Sequence, residues 1–154
     1  MRLPDLMAHL AVGYLASDIL RSDKALVLLG SILPDIKIAS FLLAPVLDDA
    51  TRGALFFAFD SPVIFLPLAL IGSALFANRR MAFGCLSLGV LLHLALDSMQ
   101  YKFAGGIVPF FPLVTNRYSL GIFWQDDYTI TVALAAILVA YLAFRRWRQA
   151  SRGG

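Results

Sequence analysis

LLHLALDSMQ, residues 91–100, is the stretch on which the reading of the whole chain turns. It closes an apolar run from Met81 to about Met99, the length a helix needs to cross a hydrocarbon core of ~20 residues. Inside that run stand His93 and Asp97. Residues four apart share one helical face with Cβ atoms about 5–6 Å apart, so both side chains can reach one ion. Imidazole and carboxylate together suit zinc, manganese or iron, and such an ion acidifies water toward neutral pH. The plainer reading is a carboxylate solvated at a helix end. Depth argues against it, because an acid inside a span costs ~2.5–3.5 kcal/mol on insertion scales and needs a partner there.

The remaining composition supports a membrane setting. The chain has 154 residues, 60% hydrophobic and 15% charged, and its mean hydropathy of +0.78 lies outside the range of ordinary soluble domains. Its apolar runs are continuous rather than alternating, which argues against a β-barrel, and lipid offers the backbone no partners, so the spans must be helices. The expected fold is all-α: a polytopic helical membrane bundle of about four to five helices, forming a single integral membrane domain over residues 1–154. The net charge of +3 is clustered and reads as a topology signal. No groove-reading motif appears, so nucleic acid is not an expected partner. Cys85 is the single cysteine; it excludes an intramolecular disulfide and reads as a small core residue. The N-terminus, interrupted by Asp5, His9 and Asp18, makes a poor secretory signal and is read as part of the mature protein.

Working outward from the opening stretch, five apolar blocks are separated by charges and turn signals. The first covers residues 5–20 and is short for a span. The second, residues 25–47, carries Pro34 and Asp35 at its centre and is expected to break or kink there. The third runs from Ala54 to Ala77, with Ser61 and Pro62 predicting a helix over about 62–77. The fourth is Met81–Met99 and the last Tyr128–Phe144. Residues 101–127 are rich in Gly, Pro and aromatics, too long for a connector and too apolar for a disordered linker, which predicts an ordered lid or interfacial loop.

Basic residues set the expected orientation. Arg21 and Lys24, Arg79 and Arg80, and the tail 145–154 with Arg145, Arg146, Arg148 and Arg152 should all be cytoplasmic. The expected location is the inner (cytoplasmic) membrane, multi-pass, with a cytoplasmic C-terminus. His9, Asp60, His93 and Asp97 then fall toward the outer side, and Asp35 joins them if the second block ends at Pro34. Each has a plainer role: an interfacial histidine for His9, a turn residue for Asp35, and a helix cap for Asp60. Asp5, Asp18, Asp48, Asp49, Asp126 and Asp127 read as boundary or loop charges. In the outer loop, Lys102 and Arg117 are the nearby cations. Arg117 is the better anion clamp because its planar fork holds two phosphate oxygens; anchoring beside Tyr101, Tyr118 and Trp124 is the alternative.

Three phrases, AHLAVGYL around His9, LGSILPDIK around Asp35, and LLHLALDSMQYKFAGGIVPFFPLVTNRYSLG from Leu91 to Gly121, together resemble the YdjM-type membrane-bound metal-dependent hydrolases, the DUF457 family. The corresponding family phrases run roughly THxxxG, LGxLLPDID and HLxLDxxTxxGxxxLxPF, followed by RRxSL, and the resemblance covers most of residues 7–121. That family is distantly similar to zinc-dependent phospholipase C and P1-type nucleases. The resemblance implies His9, Asp35, His93 and Asp97 as metal ligands and phosphoester hydrolysis as the chemistry. Family members carry an HRxxTHS-like segment before the third helix, where this chain reads TRGALFFAFDSP. Thr51 and Arg52 stand near the first of those histidines, and Asp60 with Ser61 near the second. An oxygen donor at Asp60 would shift preference toward harder ions such as manganese or magnesium.

These residues together with the resemblance predict a membrane-embedded, metal-dependent hydrolase of an ester or phosphoester, lipid head groups among its candidate substrates, within the bilayer. The divalent ion is zinc or manganese, held by His9, Asp35, His93 and Asp97, with Asp60 as ligand or general base and Arg117 as anion clamp. Two other classes fit the same residues. One is an ion-coupled transporter, for which Asp35 beside Pro34 is the best mid-membrane acid; the other is a catalytically degenerate scaffold whose polar cluster only locks helix packing.

Overall fold

The computed structural model describes residues 3–38, 45–101, 106–124 and 127–151. Lys102, Asp126 and Arg152, singled out above, lie outside them. The fold is all-α but for one short strand pair. Its helices are α1 (Leu3–Ile19), α2 (Lys24–Ile32), α3 (Asp49–Phe59), α4 (Pro62–Ser73), α5 (Arg79–Met99) and α6 (Tyr128–Ala150), with a 3-10 segment, Leu33–Ile38, continuing α2. Four starts are set by side-chain caps: Asp23, Asp48, Asn78 and Asp127 each accept from a backbone N–H of the first turn. α5 and α6 are long and apolar enough to cross a membrane. α3 and α4 pass the same test only together, and they are bent by 74°.

The second block breaks where expected. α2 ends at Ile32 and Pro34 sits in the 3-10 segment, because proline offers no N–H to an α-helical continuation. The third block departs from the expectation of one helix over about 62–77. Ser61 is the N-cap and Pro62 opens α4, but α4 stops at Ser73, and a separate α3 precedes it. Asp60 ends α3 rather than starting α4. The fifth block runs past Phe144 to Ala150, so Arg145, Arg146 and Arg148 are helical. Arginine is a good helix former, and positive charge at a helix C-terminus suits its dipole.

Packing is decided by small residues at helix crossings. In lipid, apolar area gives helices little reason to associate, so close backbone approach matters more. α2 crosses α5 at Gly30 and Gly89. A Cβ on Gly30 would lie 2.3 Å from the Leu86 carbonyl oxygen, and one on Gly89 would lie 2.2 Å from that of Val27. α1 joins this crossing through Gly13, whose added Cβ would meet Ser31 Oγ at 2.5 Å. Leu26, Val27, Ala69, Ala82, Cys85 and Leu86 fill one core around the crossing. A second core, Phe65, Val90, Leu94 and Ile107, lies toward the α4 N-terminus.

The described part of the 101–127 loop is held by backbone hydrogen bonds. Ile107 and Tyr118 exchange two backbone hydrogen bonds of 2.9 and 2.7 Å. Leu120 and Ile122 donate to Ser98 and Met99 at the end of α5, and Val108 donates to the Asp60 carbonyl. Two short parallel strands, β1 (Gln100–Tyr101) and β2 (Phe123–Trp124), close the segment. The loop is thereby tied to the end of α5 and to the α3–α4 bend.

Candidate metal centre

His9, Asp35 and His93 each offer a ligand atom, and these atoms all lie within 4.8 Å of one another. They come from α1, the 3-10 segment and α5. The crossing described above explains why they meet. His9 precedes Gly13 by one turn, Asp35 follows Ser31 by one turn, and His93 follows Gly89 by one turn, so closing the backbones at the small residues brings the next turns together.

Asp97 joins them. Its Oδ1 is 3.3 Å from His9 Nε2, and its Oδ2 is 3.5 Å from His93 Nε2. Asp35 Oδ1 stands 3.9 Å from His93 Nε2. The two imidazoles stack, with centroids 3.7 Å apart and planes 16° from parallel. His9, His93 and Asp97 are each no more than 2% exposed. Two carboxylates and two imidazoles are therefore gathered in a largely buried site, with only Asp35 partly exposed, which suits a divalent cation.

The Ser31 carbonyl fixes a hydrogen on one nitrogen of the His93 ring. His93 Nδ1 lies 2.7 Å from Ser31 O, and since a carbonyl only accepts, Nδ1 must carry the proton. Pro34 makes that carbonyl available, because an i to i+3 continuation would pair Ser31 O with the N–H that proline lacks. In the neutral ring the lone pair then sits on Nε2 and faces carboxylate oxygens. His93 Nε2 and Asp35 Oδ2 are both buried without a hydrogen-bond partner. Buried polar atoms are rarely left so, and the donor set fits a metal ion that would satisfy both. A buried His-Asp-His group able to hold a metal ion is thus present.

Asp60 and Arg117 are not part of that group. Asp60 is buried at the end of α3. Arg117 is exposed in the loop, its guanidinium 4.7 Å from the Phe57 ring centre.

At the far end of the fold, Asp18 forms a second polar centre that the sequence reading treated as a boundary charge. It pairs with Lys24, accepts from the Tyr141 hydroxyl, and accepts from Arg145 Nη1 at 2.6 Å. Asp18 lies nine residues beyond His9 on α1, roughly 13 Å along the helix axis. It draws the starts of α2 and the end of α6 onto α1. Tyr141 and Arg145 are more than 120 residues away in the chain, and no local pattern announces such a partner. The Gly13, Ser31 and Gly89 contacts were also missed, although a small residue four positions from His9, Asp35 and His93 was a visible signal.

Comparisons of the chain with known protein families, curated proteins and solved structures find no match.

Proposed function

We propose that the protein is a membrane-embedded, metal-dependent hydrolase of an ester or phosphoester, and that it belongs with the YdjM-type hydrolases it resembles. The observation that carries this reading is the convergence of His9, Asp35 and His93, with Asp97 against both rings. These are the four positions at which the family phrases would have metal ligands. In this reading they hold zinc or manganese, and the bound ion supplies Lewis acidity toward an ester or phosphoryl group. The protein's own part is to keep the ligands oriented. Ser31 O holds the His93 ring through Nδ1, leaving Nε2 to donate. Asp60 serves as a further ligand or general base, and Arg117 on the tethered loop as the anion clamp.

The bundle is polytopic in this reading, with four to five membrane helices in the inner membrane. Its basic end, with the C-terminus, is cytoplasmic, and the metal centre faces the outer side. The location of two apolar helices long enough to span supports the membrane setting. Substrate comes from the bilayer edge, in keeping with an apolar loop above the site.

The test is hydrolysis of a chromogenic phosphodiester, a carboxylic ester and mixed phospholipids by the purified protein, with and without chelator. Activity on one of them should fall at least about 100-fold in His93→Ala and in Asp35→Asn, the scale of losing a catalytic group. Hydrolysis that persists through chelation and through both substitutions would leave the enzyme reading without support. Metal binding without turnover on any substrate would favour the scaffold.

A further inference from the structure

Away from the candidate metal site, a cavity of about 390 Å³ opens at the opposite end of the fold, lined by Arg21, Tyr141, Phe144, Arg145, Arg148 and Gln149. We propose that it is a binding site for the phosphate group of an anionic phospholipid.

The strongest sign is the backbone at Arg21. α1 ends in a double hydrogen-bonded turn, with Ser22 N–H donating to Ser17 O at 2.9 Å and Arg21 N–H donating to Asp18 O at 3.3 Å. This is the pattern in which the residue after the cap takes a left-handed conformation and is usually glycine. Arg21 has φ +53°. A residue with a Cβ is disfavoured there, yet the position holds an arginine whose side chain lines the cavity. The side chain is kept against the preference of the backbone, which points to a role for the guanidinium rather than for the turn.

The charge balance agrees. Asp18, the acid beside the cavity, is engaged by Lys24, Arg145 and Tyr141. Among the described residues, Arg21 and Arg148 have no acidic partner. Arg148 instead packs against Phe144, its Cζ 5.7 Å from the ring centre. Two guanidiniums beside a tyrosine hydroxyl and a third, half-committed guanidinium suit a phosphate, which arginine can hold through paired N–H donors. The cavity also sits at the end of the 23-residue apolar helix α6, and Phe144 and Trp147 there are 52% and 65% exposed. Aromatic rings and arginines at the end of a span mark headgroup depth, where basic pockets between helices take anionic lipid. That depth selects a lipid phosphate over a soluble one.

The experiment is native mass spectrometry of the full chain titrated with phosphatidylglycerol and, separately, phosphatidylcholine. The wild type should prefer phosphatidylglycerol. Arg21→Gly and Arg148→Gln should each weaken that binding about fivefold, and the double variant should lose the preference. Arg21→Gly should unfold at or above the wild-type temperature, because glycine suits the left-handed position, and this separates lost binding from lost folding. Inorganic phosphate at matched ionic strength should not displace the lipid. Equal binding of the two lipids by the wild type, an intact preference in the double variant, or displacement of lipid by phosphate would each overturn the proposal.

Discussion

At one end of the molecule a carboxylate lies among protein cations; at the other, two carboxylates lie among imidazoles. Asp18 is matched by Lys24 and Arg145 and capped by the Tyr141 hydroxyl. Its charge is settled within the chain, and the result is a tie between α1, α2 and α6. Asp35 and Asp97 meet His9 and His93, and the ring held through Nδ1 turns Nε2 toward them. Such a set could be settled by a cation from outside. The same residue type is therefore a fastener where the sequence supplies its counter-charge, and is open to a ligand role in the proposed function where it does not.

The largest expected effect comes from forcing the helices apart beneath the candidate metal site. Gly89→Val places side-chain atoms where a Cβ alone would already sit 2.2 Å from the Val27 carbonyl oxygen. The destabilisation should reach or exceed about 3 kcal/mol, and thermal unfolding and metal content should fall together. A variant that keeps its metal would show that the crossing does not position the ligands.

Metal addition should sharpen the contrast next. At 100 times its dissociation constant, zinc or manganese should stabilise the wild type by about 2.7 kcal/mol. His93→Ala should abolish that gain, whereas substitutions around Asp18 should preserve it. Denaturant unfolding of each protein with metal and with chelator measures both.

Asp18→Ala should lower the unfolding temperature by a smaller amount. Lys24 and Arg145 are 36% and 40% exposed, so water takes over part of their solvation when the acid is removed. An unchanged unfolding temperature would remove the fastening role.

The smallest effect belongs to a carboxylate outside both centres. Asp127 caps α6, and its carboxyl is held below the usual carboxylate value by the Thr129 hydroxyl and then by the Thr129 N–H. A depressed folded-state pKa means the contribution is full above the unfolded value of about 3.9 and fades as pH drops below it. Asp127→Ala should therefore be slightly less stable than wild type at pH 7, with the gap narrowing toward pH 3. A gap that widens in acid would contradict the cap.

Much of the His and Asp cluster was legible because its signals are local. His93 and Asp97 share a helical face by spacing alone, and Pro34 announces the break that frees the Ser31 carbonyl and turns Asp35 toward the rings. The Ser61 and Pro62 helix start was legible for the same reason. The sharp bend between α3 and α4 was not, since both helices are apolar and only two residues part them. Asp18 was misread because its partners Tyr141 and Arg145 are brought to it by tertiary packing. The end of α6 was placed too early because its basic residues were read as a boundary, although they are compatible with helix.

The most direct test of the central claim is the metal content of three purified proteins, the wild type, Asp35→Asn and Asp18→Asn, after dialysis against a trace of zinc or manganese. The account predicts one bound divalent ion per chain in the wild type and in Asp18→Asn, and a loss of at least about tenfold in affinity in Asp35→Asn. Equal metal content in all three, or none in the wild type, would contradict it.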